Sequence, residues 1–118
     1  MTSKIAARLD ALGIRLPEAP MPAANYVPYV QTGRQLFVSG QIAAGPEGMI
    51  KGKLGADMGI EDGAAAARRC GLALMAQAQA ALGDLDRVTR VVKLVGFVNS
   101  TAVFTDQPKV INGCSDLM

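Results

Sequence analysis

Residues 59–98 read GIEDGAAAARRCGLALMAQAQAALGDLDRVTRVVKLVGFV, and the change of period inside this stretch decides the fold. In its first part Ile60, Ala64, Ala67, Gly71, Leu74, Ala78 and Ala81 recur at threes and fours, which predicts a helix over residues 59–82. Glu61 and Asp62 stand in its first turn, where the helix dipole favours anions, and Gly83 follows as a stop. The stripe is mostly Ala and Gly, so this helix should lie close to whatever it covers. From Val88 to Val98 the pattern becomes nearly continuously apolar, as suits a strand covered on both faces. A helix can cover one face. In so short a chain the other face is expected to meet another subunit.

Working outward, Ile5, Leu9 and Leu12 mark a short amphipathic helix capped by Gly13. A connector with Pro17, Pro20 and Pro22 follows and favours extended backbone. From Tyr26 the period is two. Tyr29-Val30-Gln31 and Leu36-Phe37-Val38-Ser39 flank Thr32-Gly33-Arg34-Gln35, a hairpin signal, with the second strand running on toward Ile42. Gly45-Pro46-Glu47-Gly48 is a second turn, leading to a short strand around Met49-Ile50-Lys51. At the far end Thr105 reads as an N-cap, Asp106 suits the first turn and Pro108 is tolerated there. Val110, Ile111, Cys114, Leu117 and Met118 form its apolar stripe. The chain stops on that stripe without a helix-ending signal, the pattern expected of a longer domain cut short.

Composition excludes several function classes. The 118 residues make one domain by length, and a 50% apolar share supports one modest core. No apolar run approaches the ~20 residues of a membrane span, and the N-terminus lacks the apolar core of a secretory signal, so a cytoplasmic protein is expected. The net charge of +2 is too small, and the basic residues too scattered, for a nucleic-acid or anionic-membrane surface. There is no Trp, and only Tyr26, Tyr29, Phe37, Phe97 and Phe104 are aromatic, so no base-stacking platform is evident. With no His, and with Cys70 and Cys114 far apart in sequence, zinc-type sites and Ser-His or Cys-His chemistry are not expected.

From Asn25 to Met118 the chain resembles the Rid family of reactive intermediate/imine deaminases, the RidA/YjgF group long labelled endoribonuclease L-PSP. The resemblance rests on the order and spacing of several segments: residues 25–30, 36–42, 66–70, 83–88, 92–93, 96–99 and 104–113, among them Leu36-Phe37-Val38-Ser39-Gly40-Gln41-Ile42 and Gln107-Pro108-Lys109-Val110-Ile111-Asn112-Gly113. The N-terminal helix resembles that of a longer subgroup. The resemblance implies an α+β fold like the trimeric type of chorismate mutase: a mixed sheet with two helices on one face, preceded here by a short N-terminal helix. It divides the chain into an N-terminal helix and connector over residues 1–24 and a Rid-like domain over residues 25–118 that lacks its final strands. It implies a homotrimer with ligand clefts between subunits, a small carboxylate-bearing ligand, and no metal or organic cofactor. The family's usual reaction is hydrolysis of enamine or imine intermediates, such as 2-aminoacrylate, to a 2-keto acid and ammonia.

The carry-over of site residues is partial. Tyr26 lies 13 positions before Ser39, the spacing at which family members carry an active-site Tyr that places the imine or its attacking water; the competing reading is a ring packed at the start of a strand. Ser39-Gly40 matches the segment lining the cleft. Ser39 has no His to activate it, so its share is to shape the cleft, with Gly40 leaving room for a ligand. Asn112 matches an Asn bordering the cleft; it reads equally as a helix residue facing a subunit boundary. Cys70 and Cys114 read as small core residues, Arg68-Arg69 as a solvated face. The Arg that holds the substrate carboxylate in the family, and the acidic residue of its final strand, are not among the 118 residues. The readings that follow are an imine/enamine deaminase, a non-catalytic ligand-binding or regulatory trimer, and, from the family's old labels, a ribonuclease or translation inhibitor.

Overall fold

The computed structural model describes residues 3–118. Its elements in order are α1 (Lys4–Ala11), β1 (Tyr29–Thr32), β2 (Gln35–Val38), β3 (Ala44–Gly45), β4 (Gly48–Met49), α2 (Ile60–Leu82), a 3-10 turn (Leu85–Arg87) and α3 (Gln107–Ser115). The class is α+β, as expected; among the described residues it is built from three helices and two separate two-stranded antiparallel sheets in place of one mixed sheet. Contacts divide the chain into two units, residues 1–41 with 72–90 and residues 42–71 with 91–118.

In the first unit β1 and β2 form an antiparallel hairpin with Tyr29 opposite Val38 and Thr32 opposite Gln35. Its two-residue turn starts with Gly33 at φ 57°, the left-handed value a tight hairpin turn takes at its first central position. The ladder is extended once by the Ser39 N–H, which donates to the Pro28 carbonyl at 2.9 Å. It goes no further, and the strand expected to run to Ile42 ends at Val38. The core of this unit comes from the second half of α2, where Leu72, Ala73 and Ala76 are buried, with Leu85 below. Gln77, 1% exposed, is buried among them, and its amide donates to the Pro20 carbonyl at 2.6 Å. The proline connector is thereby tied to the helix. Gly83 ends α2 at φ 80°.

In the second unit β3 and β4 make the second hairpin. The buried residues are Leu54, Gly63, Ala67, Gly71, Val110 and Cys114. The small residues of α2 act as expected here. A Cβ on Gly63 would lie 2.9 Å from Leu54 Cδ1 and 3.2 Å from Val110 Cγ1; one on Gly71 would lie 3.0 Å from both Cys114 Sγ and Leu117 Cδ2. Leu54 supplies a parallel bridge to Ser100: its N–H donates to the Asn99 carbonyl at 2.9 Å, and its carbonyl accepts from the Thr101 N–H at 3.0 Å.

Three expectations need correction. Leu74, Ala78 and Ala81 are only half-buried, because the core of the first unit centres on Ala73, Ala76 and Gln77, one residue round the helix; Ile60, at the helix start in the second unit, is half-buried too. The N-cap of α3 is Asp106, not Thr105; its carboxylate pairs with Lys109 at 3.5 Å instead of capping. Residues 88–98 carry no ladder hydrogen bonds. An apolar run specifies that a segment is to be buried, but pairing needs a free neighbouring edge, and within the chain pairing begins only at Leu54 and Ser100.

Candidate functional site

Tyr26, Ser39 and Gly40 all belong to the first unit, at the open end of the β1–β2 hairpin. Tyr26 stands between Pro22 and Pro28, where the chain bends before the strand. Its backbone N–H donates to the Ala24 carbonyl at 2.9 Å, and its hydroxyl accepts from the Ala23 N–H at 3.3 Å. The side chain is 46% exposed, so the hydroxyl proton is free to donate outward. Across the hairpin the Pro28–Ser39 bond fixes the start of the other segment. Ser39 is half-buried, and its carbonyl accepts from Gln41 Nε2 at 3.0 Å, an orienting contact the sequence did not reveal. A Cβ at Gly40 would meet nothing within 4 Å, so the space beside it is open.

Asn112 lies in the second unit, exposed on α3; its carbonyl accepts from the Asp116 N–H at 2.8 Å as that helix ends. Cys70 and Cys114 are in the same unit. Burial pushes both thiols up, and in Cys70 the neighbouring Cys114 adds to the effect. Both are therefore held as thiols at neutral pH, poor nucleophiles and poor metal ligands. A groove of about 470 Å³ lies on the β3–β4 hairpin, lined by residues 45–50 and Arg69; none of the candidate residues borders it. Among the described residues no group of three or more His, Cys, Asp or Glu side chains could hold a metal ion, and no helix is long and apolar enough to cross a membrane.

Residues 6–118 match the family described as "YjgF/chorismate_mutase-like, putative endoribonuclease". Protein TCP17 of Trypanosoma cruzi is 54% identical over 118 residues, 99% of this chain and 74% of that protein. The crystal structure described as a "putative endoribonuclease" from Shewanella oneidensis superposes with a TM-score of 0.90 at 37% identity, covering 95% of this chain and 75% of that one. Protein Atu1372 of Agrobacterium tumefaciens, of unknown function, gives a TM-score of 0.85 at 43% identity, covering 96% of this chain and 70% of that one. A family match over nearly the whole chain, joined to these relatives, places the chain in the YjgF/chorismate mutase-like family.

Proposed function

We propose that this protein is a Rid-type deaminase that hydrolyses small enamine or imine intermediates, of the 2-aminoacrylate kind, to 2-keto acids and ammonia. What supports the reading is the family match over residues 6–118, joined to a half-exposed Tyr26 just before β1 and the Ser39–Pro28 bond at the end of the β1–β2 hairpin. An iminium carbon is already electrophilic. Water adds to it, the tetrahedral adduct expels ammonia, and a keto acid remains. Such a reaction needs a held substrate and an oriented water more than a strong base, and positioning alone supplies much of the rate. The Tyr26 hydroxyl, steadied by the Ala23 N–H, would orient that water. Ser39, with its carbonyl fixed by Gln41, and the open space at Gly40 would form the wall. Asn112, exposed on α3, is proposed as a further substrate-binding residue.

The reading includes a cytoplasmic homotrimer. It draws support from residues 92–97, where Val92 is 83%, Val95 66% and Phe97 94% exposed, a large apolar face for one chain to leave in water. The second reading is a ligand-binding trimer without turnover, which the same family membership allows.

The test is ammonia release from freshly generated 2-aminoacrylate, compared with spontaneous hydrolysis, for the protein and for Tyr26→Phe. Acceleration that falls in the variant while its melting curve is unchanged supports the deaminase. No acceleration, with calorimetric binding of a 2-keto acid, supports the binding protein. Neither turnover nor binding overturns both.

A further inference from the structure

We propose that α1 is a releasable strap, whose hydrogen bonds to the 3-10 turn, among the described residues, all go to one side chain, the Asp86 carboxylate. An isolated helix shorter than ~12–15 residues is marginal in water. Helix α1 has eight residues, none of them buried. Something outside it must hold it. The first N–H groups of a helix lack internal partners. Here Ser3 Oγ, as N-cap, accepts from the Ala6 N–H at 3.2 Å. The next two donors reach across the chain. The Lys4 N–H donates to Asp86 Oδ2 at 2.7 Å and the Ile5 N–H to Oδ1 at 2.7 Å, while the Ser3 hydroxyl donates to Oδ1 at 2.9 Å. Both carboxylate oxygens are thus engaged on the positive end of the α1 dipole, by short charge-assisted bonds.

The two partners are unequally anchored. Asp86 sits in a turn whose Leu85 is buried. Asp84 Oδ1 accepts from its N–H at 2.9 Å, and Arg87 donates to the Leu82 carbonyl at 3.0 Å, tying the turn to the end of α2. Nothing comparable buries α1. When the carboxylate lets go, α1 is the side that comes away, and at its length undocking and melting are one event. Release frees Ile5 and Leu9, both half-buried in the docked state.

The experiment compares the full chain with Asp86→Ala and Ser3→Asp at neutral pH, by trypsin cleavage after Arg8 and by amide hydrogen exchange of residues 4–11 and 72–82. Asp is as good an N-cap as Ser, so Ser3→Asp leaves the helix's own cap in place and sets a like charge against Asp86. Both variants should speed cleavage and exchange in residues 4–11 by roughly fivefold or more, the scale of a lost cap. Residues 72–82 should be unchanged. Wild-type protection of residues 4–11 in either variant would overturn the proposal. So would an equal loss of protection through residues 72–82, which would make Asp86 a scaffold of the whole unit.

Discussion

Replacing Gly113 by alanine should drive α3 off α2. A Cβ at that position would run into the Ala64 carbonyl oxygen and lie 2.7 Å from its carbonyl carbon and 3.0 Å from its Cα. All three obstacles are backbone, so no rotamer change relieves them and the helices themselves must separate. Gly71 offers the contrast: its Cβ would press on Cys114 Sγ and Leu117 Cδ2, which are side-chain atoms able to shift. In an exposed helix Gly→Ala stabilises by about 1 kcal/mol. Forced separation of a packed pair costs roughly 1–3 kcal/mol, occasionally more, and a backbone clash belongs at the top of that range. The expected balance is a loss of about 2 kcal/mol. For a domain of this size that lowers the melting temperature by roughly 6–12 °C.

The assay is thermal unfolding followed by circular dichroism for wild type, Gly113→Ala and Gly40→Ala. The last is the control, because nothing lies within 4 Å of its added methyl and its φ is not left-handed; its midpoint should stay within the range of a surface substitution. A Gly113→Ala protein that melts at or above the wild-type temperature would refute the close α2–α3 approach.

Three further outcomes are expected. Gln77→Leu keeps the volume but removes the donor to Pro20, leaving a carbonyl without its partner; the loss should be about 1–3 kcal/mol in denaturant unfolding, and an unchanged midpoint would show that the tether contributes nothing. The Ile5 and Lys4 N–H groups, then Ser3 and the Lys4 charge, hold the Asp86 carboxyl below the usual carboxylate range. A depressed value means that its hold on α1 is complete above the ordinary Asp value of about 3.9 and fades only as pH falls through the lower folded value. Asp10, Asp84, Lys4, Arg8 and Arg87 are the other charged groups on the two elements, and exchange protection of residues 4–11 should persist at pH 5 and fail in stronger acid, in wild type but without that profile in Asp86→Asn. Light scattering in dilute buffer should give three times the chain mass, and a stable monomer would sink the trimer reading.

Local devices were legible in the sequence. Gly33 marks the hairpin turn, the threefold and fourfold recurrence marks α2, and Gly83 ends it, because each is decided within a few residues of the chain. At the start of α3, Thr105 and Asp106 are both good cap residues, so composition does not choose between them; the helix begins after Asp106, without a side-chain cap bond. Gln77 and Asp86 were not legible at all. Each acts through a partner 57 or more positions away, and nothing in a Gln within an Ala-rich helix, or an Asp in a surface turn, announces a distant carbonyl or a helix end. At the candidate site, the Tyr26–Ser39 spacing is visible in the sequence, and both residues lie in the first unit. Gln41 was passed over because its contact is to backbone, which any side-chain amide could make.

Residues 88–98 separate what a pattern encodes from what it leaves open. The apolar run asked for burial on two faces. In the folded chain its later part is covered unevenly. Leu94 and Val98 are half-buried, and Gly96 passes so close to α3 that a Cβ there would run into Ile111, with Ile111 Cγ1 only 3.1 Å away. Val95 and Phe97, between them, face water. One face is thus covered by the chain's own helix, as the Gly at 96 requires. The other keeps its hydrophobic residues exposed. The partner of the outer face is a matter of what edge or surface is offered to it. If a second copy offers that surface, Phe97→Lys should leave the helical content intact and reduce the scattering mass, since it places a charge in the middle of an apolar contact and touches nothing in the chain itself. A Phe97→Lys protein of unchanged mass would place the contact elsewhere.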